Sequence, residues 1–197
     1  MLKLIFAALG LLLLIAIFIV VIYNRLVGLR NRYRNAFSQI DVQLKRRHDL
    51  IPNLVETAKG YLQHERGTLE AVATARARAM SAVQMAALNP GDARVMRELS
   101  GAEQNLTSAL GRLMAVAENY PQLKANEAMS QLMEDLTTTE NRIAFARQAY
   151  NDTVMFYNTA RQTMPTNFVG NAFHFAPAEF LLVAGDGDKL APAISFP

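Results

Sequence analysis

The stretch that decides the fold is residues 23–61, whose sequence is YNRLVGLRNRYRNAFSQIDVQLKRRHDLIPNLVETAKGY. Its apolar residues recur at alternating steps of three and four, the spacing that lines one face of an α-helix. They are Leu26, Leu29, Tyr33, Phe37, Ile40, Leu44, Ile51, Leu54 and Ala58. The pattern predicts one helix of about 60 Å at ~1.5 Å per residue. It skips a step at Arg47 and His48, and Pro52 predicts a kink or break over residues 48–51 because proline removes a backbone donor.

A charge-free run, LIFAALGLLLLIAIFIVVI, precedes this helix at residues 4–22. At ~1.5 Å per residue it matches the ~30 Å hydrocarbon core of a bilayer. A cleaved signal peptide is the alternative, but its apolar part is usually ~7–15 residues long and ends at small residues, whereas Tyr-Asn-Arg-Leu follows here. We therefore predict a transmembrane anchor over residues 1–22.

The charges on either side of this run predict the topology. Lys3 precedes the run, and four arginines follow it before the first acid, Asp41. These membrane-flanking residues are Arg25, Arg30, Arg32 and Arg34. By the positive-inside rule we expect a single-pass protein of the bacterial cytoplasmic (inner) membrane, with its N-terminus outside and its body in the cytoplasm. The arginines are expected to contact anionic head groups and not nucleic acid.

Three further helices are predicted after the long one. Thr68 is expected to cap the second, which runs to about Leu88, and Asp92 to cap the third. The fourth begins between residues 121 and 126 and ends at Pro165, and residues 166–197 are expected to form an irregular tail near the membrane-proximal end. Because the connections are short, the simplest assembly is an all-α, antiparallel up-down-up-down bundle over residues 23–165, with the first and fourth helices long and the second and third shorter.

The difference in helix length leaves an apolar strip near the membrane. The second and third helices span ~31–40 Å and cannot cover the full length of the ~60 Å first and fourth helices. The strip comprises Leu26, Leu29, Tyr33, Phe37 and Ile40 of the first helix with Tyr150, Val154, Tyr157 and Met164 of the fourth. A soluble monomer rarely exposes so much apolar surface. We expect the tail of the same or a neighbouring subunit to cover it through Phe168, Phe173, Phe175, Phe180, Leu181 and Leu182. A membrane-surface role for these phenylalanines is the competitor, which Glu179, Asp186 and Asp188 disfavour.

Several motifs give the chain a family resemblance. They are SQIDVQLKRRHDLIPNLVETAKGY at residues 38–61, ENYP at 118–121, TENRIA at 139–144, and Tyr-Asn at both 150–151 and 157–158. From Tyr23 onward the sequence resembles the LemA family. The resemblance implies a bacterial, membrane-anchored protein with a helical-bundle body and no assigned biochemical role.

No chemistry of catalysis or cofactor binding is indicated. His64-Glu65 has no second histidine four residues on, and there is no glycine-rich phosphate loop. His48-Asp49 is interpreted as a solvated pair, and the chain lacks cysteine. We predict no enzyme, no catalytic residue, no cofactor, no metal and no small-molecule substrate.

A polar pattern remains to be explained. Lys45, Asp49, Asn53 and Glu56 follow one stripe of the first helix, and Arg147, Asn151 and Asn158 repeat on the fourth. Hydrogen bonds that fix the packing of the helices are one interpretation, and a docking surface is the other. The two tyrosines beside the asparagines, Tyr150 and Tyr157, share this ambiguity.

The leading functional hypothesis is a non-enzymatic, membrane-anchored scaffold that self-associates into a homo-oligomer through the proximal part of the first and fourth helices. The alternative is an adaptor or regulator of another membrane protein, for which the resemblance suggests a membrane protease. The candidate interaction residues are Leu26, Leu29, Tyr33, Phe37, Ile40, Lys45, Asp49, Asn53, Glu56, Arg147, Tyr150, Asn151, Tyr157, Asn158, Phe173, Phe175 and Phe180.

Overall fold

The computed structural model describes residues 1–182, and every regular element in that part of the chain is helical. The helices are α1 (Leu2–Lys59), α2 (Arg66–Leu88), α3 (Ala93–Ala117), α4 (Pro121–Lys124), α5 (Glu127–Gln162) and α6 (Thr166–Ala172). The predicted all-α class with a long apolar N-terminal helix is confirmed.

The first helix passes through Pro52 without interruption, so the predicted break does not occur. Proline cannot donate to the carbonyl four residues earlier, which belongs to His48. Nε of Arg76, from α2, donates to that carbonyl at 2.6 Å. A neighbouring helix therefore supplies the hydrogen bond that proline removes.

Helix α5 runs antiparallel to the part of α1 that follows the apolar run. Tyr61, just after α1, accepts a hydrogen bond from Asn126, the N-cap of α5, at 3.1 Å. Arg47 lies 3.2 Å from Glu140, and the ring centroids of Tyr33 and Tyr157 are 5.1 Å apart. Helices α2 and α3 form a hairpin whose α2 packs on α1. The long pair α1–α5 is thus the frame on which the hairpin lies.

The interior consists of an apolar cluster on each side of a polar layer. The membrane-proximal cluster extends from Ile22 to Leu44 on α1, and the distal one starts at Ile51. Arg47 and His48 lie between them and are 4% and 2% exposed. The skipped step in the apolar pattern of α1 is the position of this polar layer.

The helix ends confirm some predictions and correct others. Asp92 caps α3 by accepting hydrogen bonds from the backbone N–H of Arg94 and Val95, both at 3.0 Å. The Thr68 cap is wrong, because α2 begins at Arg66 and places Thr68 inside its first turn. Met164 was expected on the buried strip but is 74% exposed, because α5 ends at Gln162.

The prediction that no helix follows Pro165 is also wrong. Helix α6 is short and amphipathic, and its buried face consists of Thr166, Val169 and Gly170. Gly170 lies against α1: a Cβ atom built on it would stand 3.8 Å from Cδ1 of Leu26. A helix of seven residues, about two turns, is too short to show a periodic pattern in the sequence.

Candidate functional site

Helix α5 binds the backbone of the chain's own tail. Oη of Tyr157 donates to the carbonyl of Ala176 at 2.7 Å, and Oη of Tyr150 donates to the carbonyl of Glu179 at 2.8 Å. Nε of Arg161 donates to the carbonyl of Phe175 at 2.5 Å. Tyr150 and Tyr157 were predicted as candidate interaction residues and Arg161 was not, and all three bind the same tail segment of their own chain.

The asparagines next to the tyrosines bind the tail in both directions. Nδ2 of Asn158 donates to the carbonyl of Ala178 at 2.8 Å, and its Oδ1 accepts from the Ala178 N–H at 2.9 Å. Asn151 makes the same pair of bonds with Leu181, at 3.2 and 2.9 Å. Each side-chain amide thereby replaces the backbone partner that a neighbouring strand would offer.

The repeat distances of helix and tail explain why the Tyr-Asn pair recurs after seven residues. Seven residues of helix rise about 10.5 Å at ~1.5 Å each. Three residues of extended chain cover about 10 Å at ~3.3 Å each. Consecutive Tyr-Asn pairs therefore meet tail positions three residues apart, and the order is reversed because the tail runs antiparallel to α5. We call this arrangement, made by Tyr150, Asn151, Tyr157, Asn158 and Arg161, the tail clamp.

Side chains of the tail fill the groove with the same period of three. Phe175, Ala178 and Leu181 are 4%, 5% and 6% exposed. The ring of Phe175 stacks edge-on against Tyr23 at 5.4 Å, and the guanidinium of Arg30 lies over it at 5.2 Å. Arg30, one of the four arginines expected to flank the membrane, thus packs on the tail.

The turn between α2 and α3 closes the other side of the groove. Gly91, at φ +89°, has no room for a side chain, since a Cβ atom would lie 3.0 Å from Cε2 of Tyr33 and 3.1 Å from Cβ of Ala178. Its carbonyl accepts a hydrogen bond from the Glu179 N–H at 2.9 Å. The hydroxyl of Ser100 on α3 donates to the carbonyl of Leu182.

This arrangement covers the predicted apolar strip within a single chain. Leu26, Phe37 and Ile40 of α1 are at most 1% exposed, and Tyr33 is 6% exposed. Phe168, Phe173 and Phe180, in contrast, are 62%, 52% and 38% exposed. Asp186 and Asp188 lie outside the described residues. Apart from half-buried Leu29 and exposed Met164, the strip is therefore not a free surface.

The polar stripe of α1 does not meet the polar pattern of α5. Lys45, Asp49, Asn53 and Glu56 are all exposed. Nζ of Lys45 binds Asp41 at 2.7 Å, and Glu56 lies 3.6 Å from Lys59. Arg147 is partly buried on α5.

The polar layer was not found from the sequence. His48 is buried, not solvated as predicted, and its Nε2 lies 2.9 Å from Oε1 of Glu103 on α3. Arg47 binds Oε2 of Glu103 at 3.3 Å and donates to Thr107 at 2.8 Å. The skipped step at residues 47 and 48 was the signal that the face changes from apolar to polar. What it did not show is that α3 supplies a carboxylate at the same level.

The electrostatics of the tail clamp favour hydrogen bonding and not proton transfer. Burial, reinforced by Tyr33 and then by Glu179, raises the pKa of Tyr150. Burial followed by Tyr33 raises the pKa of Tyr157. Both phenols therefore remain neutral donors at physiological pH. Among residues 1–182 no group of three or more His, Asp or Glu side chains is placed to hold a metal ion.

The opposite side of the α1–α5 pair is open. A cleft of about 380 Å³ lies there, lined by Arg25, Leu29, Arg32, Thr153, Phe156 and Ala160. At ~100° per residue, its α5 positions lie roughly opposite Asn151 and Asn158. Phe156 is 58% exposed, and Phe145, further along α5, is 74% exposed. We call these seven residues the open side.

Helix α1 is the one helix of the described residues that is long and apolar enough to cross a membrane, with a mean hydropathy of 3.4 in a window that is 6% buried. An apolar N-terminal helix of this kind, followed by a helical body that binds its own tail, defines a membrane-associated all-α protein. More particularly, the chain belongs to the LemA family, whose model matches residues 36–196. The predicted resemblance is confirmed.

Curated relatives of the chain carry one name. The chain is 26% identical over 189 residues to magnetosome proteins MamQ 1 and MamQ 2 of Paramagnetospirillum magneticum. The alignment covers 87% of this chain and 70% of each relative. It is 25% identical, with the same coverage, to magnetosome protein MamQ of Magnetospirillum gryphiswaldense.

Proposed function

We propose that this protein is a non-enzymatic, membrane-anchored scaffold that self-associates through the open side of α1 and α5. The observation that supports this most is the exposure of Phe156 and Phe145, at 58% and 74%, on a frame whose other sides are occupied by the hairpin and the tail. Most apolar side chains of the predicted proximal strip pack within the chain, so we assign the contact between copies to this surface.

Membrane anchoring restricts how two copies meet. Both bodies stand on the same side of one bilayer, so a twofold axis along the membrane normal brings the same surface of each copy together. Phe156 then faces its own equivalent beside Leu29, which is half-buried within one chain. Phe145 lies eleven residues earlier on α5, about 16 Å away at ~1.5 Å per residue, and extends the same contact.

A specific observation supports a second candidate, an adaptor for another membrane protein such as a protease. Arg25 and Arg32 line the same cleft as Phe156. In a symmetric pair these like charges approach each other, whereas a partner with acidic side chains near the membrane would complement them. Similarity to proteins named for the magnetosome is compatible with both candidates.

A single substitution at Phe156 separates the two candidates. Native mass spectrometry of the detergent-solubilised full chain should show an oligomer for the wild type and for the control Leu88→Glu. Leu88 is an apolar residue at the end of α2 that is 79% exposed, more than Phe156 at 58%. Phe156→Glu should give a monomer with an unchanged melting temperature. A monomeric wild type that loses a co-purifying protein on Phe156→Glu would contradict the scaffold and support the adaptor.

We further propose that the body is cytoplasmic. Lys3 precedes the apolar run and four arginines follow it before any acid, which is the charge bias that the positive-inside rule requires. A reporter fused after Pro197 should therefore behave as a cytoplasmic one. An active alkaline phosphatase fusion at this position would contradict the orientation.

A further inference from the structure

Three large apolar side chains protrude at the membrane-proximal end of the body. Met164, Phe168 and Phe173 are 74%, 62% and 52% exposed. They lie just before, within and just after α6, whose opposite face is buried against the body. The tail clamp holds none of these three side chains.

The level of α6 along α1 coincides with the end of the membrane-spanning run. Ile22, the last residue of that run, is 7% exposed and belongs to the same apolar cluster as Val169 of α6, and Ile19 packs against this cluster. The ring of Phe173 contacts that of Tyr23 at 5.1 Å. Since Ile19 and Ile22 form the last turn of a run that matches the hydrocarbon core, α6 lies at the boundary of that core.

The charges of this end suit a bilayer surface. No acidic residue occurs in residues 1–40 or in residues 153–178, the two parts of the chain that meet here. Residues 162–178 contain no Lys or Arg either, so no charged side chain has to be desolvated. Anionic head groups, which attract nearby Arg25, meet no repelling carboxylate from these elements.

We propose that residues 163–174 form a second membrane contact, in which Met164, Phe168 and Phe173 insert into the bilayer interface beside the point where α1 leaves it. This inference rests on anchoring by α1 but not on self-association. The interface is the region where aromatic side chains such as Tyr23 are enriched in membrane proteins. The contact would fix the body against the bilayer, so that it does not pivot freely on a single helix.

Tryptophan fluorescence tests the contact directly, because the chain contains no tryptophan. The full-length variants Phe168→Trp and Phe173→Trp are reconstituted into phosphatidylglycerol–phosphatidylcholine vesicles with and without brominated lipid. Val42→Trp is the matched control, since this side chain is 56% exposed on α1 outside the open side and lies about 30 Å, at ~1.5 Å per residue, beyond Ile22. Ile15→Trp reports the anchor itself.

Brominated lipid should quench Phe168→Trp and Phe173→Trp several-fold more than Val42→Trp, while aqueous iodide should show the reverse order. Equal iodide quenching of all three would show that α6 stands clear of the bilayer and would overturn the proposal. A blue-shifted emission that neither quencher reaches would show that protein, such as a second copy, covers the segment, which also overturns it. If brominated lipid does not quench Ile15→Trp, α1 does not span the bilayer. That result contradicts the membrane anchor and is thereby distinguished from a failure of the second membrane contact alone.

Discussion

The guanidinium of Arg76 on α2 replaces the backbone hydrogen bond that Pro52 takes from α1. Its Nε lies 2.6 Å from the carbonyl oxygen of His48, which has no N–H partner four residues on. A buried carbonyl left without a donor costs about 1–3 kcal/mol. This pair explains how a helix of 58 residues continues through a proline next to its polar layer.

Because Arg76 replaces the hydrogen bond that Pro52 removes, substitutions at these two positions should have non-additive effects on the free energy of unfolding. Arg76→Met should lower the free energy of unfolding by about 1–3 kcal/mol in the wild-type background. In the Pro52→Ala background the new amide N–H of residue 52 serves the His48 carbonyl, so the same substitution should cost clearly less. Urea unfolding of the four proteins measures the coupling. An equal loss in both backgrounds would show that Arg76 acts by packing and not through this carbonyl.

The tail clamp predicts that Asn158 stabilises the protein through the tail. Asn158→Ala removes both hydrogen bonds to Ala178 and leaves its N–H and C=O without partners, which should cost about 2 kcal/mol. Hydrogen exchange should also accelerate at the Ala178 amide. Gln148→Ala, on an exposed position of the same helix, is the control and should leave both readouts within error. Unchanged exchange at Ala178 in Asn158→Ala would contradict the clamp.

The tyrosines of the clamp predict a loss of stability at alkaline pH. Burial raises the pKa of Tyr150 above its ordinary value of 10.0, so the folded state holds the phenol proton more tightly than the unfolded state. The corresponding stability is fully present below pH 10 and is lost as the pH rises toward the folded-state pKa. The melting temperature should therefore fall above pH 10, and Tyr150→Phe should reduce the slope of that fall. An identical slope in the variant would show that Tyr150 titrates as an exposed phenol does.

The polar layer predicts unequal roles for its two carboxylates. Glu103→Ala leaves the buried Arg47 and His48 without their shared partner and should cost about 3 kcal/mol. Glu140 is 52% exposed, so Glu140→Ala should cost less than about 1 kcal/mol although it also lies near Arg47. Glu98→Ala, exposed on α3, controls for helix propensity. Equal effects of Glu103→Ala and Glu140→Ala in thermal unfolding would contradict this assignment.

Helix periodicity and turn chemistry made the frame predictable. Steps of three and four place Leu26, Phe37 and Ile40 on a buried face, and Asp92 caps α3 as its position after Asn-Pro-Gly suggests. These signals are local, since each depends on residues within a few positions along the chain.

The partners of the polar side chains were not predictable. The seven-residue repeat of Tyr150-Asn151 and Tyr157-Asn158 is visible in the sequence. Its side chains, however, bind backbone atoms of the tail, and every residue carries such atoms. Nothing in the tail sequence therefore marks Ala178 as the partner of Asn158. His48 was misread for a related reason, because its carboxylate comes from α3, 55 residues away.

The central claim, that the open side joins two copies, is tested most directly by disulfide crosslinking in native membranes. The chain has no cysteine, so single substitutions report on one position each. On mild oxidation Phe156→Cys should form a disulfide-linked dimer of the chain. Leu88→Cys, which is exposed at the C-terminal end of α2, should remain monomeric. A dimer with Leu88→Cys only, or no dimer with Phe156→Cys in membranes where the protein is folded, would contradict the account.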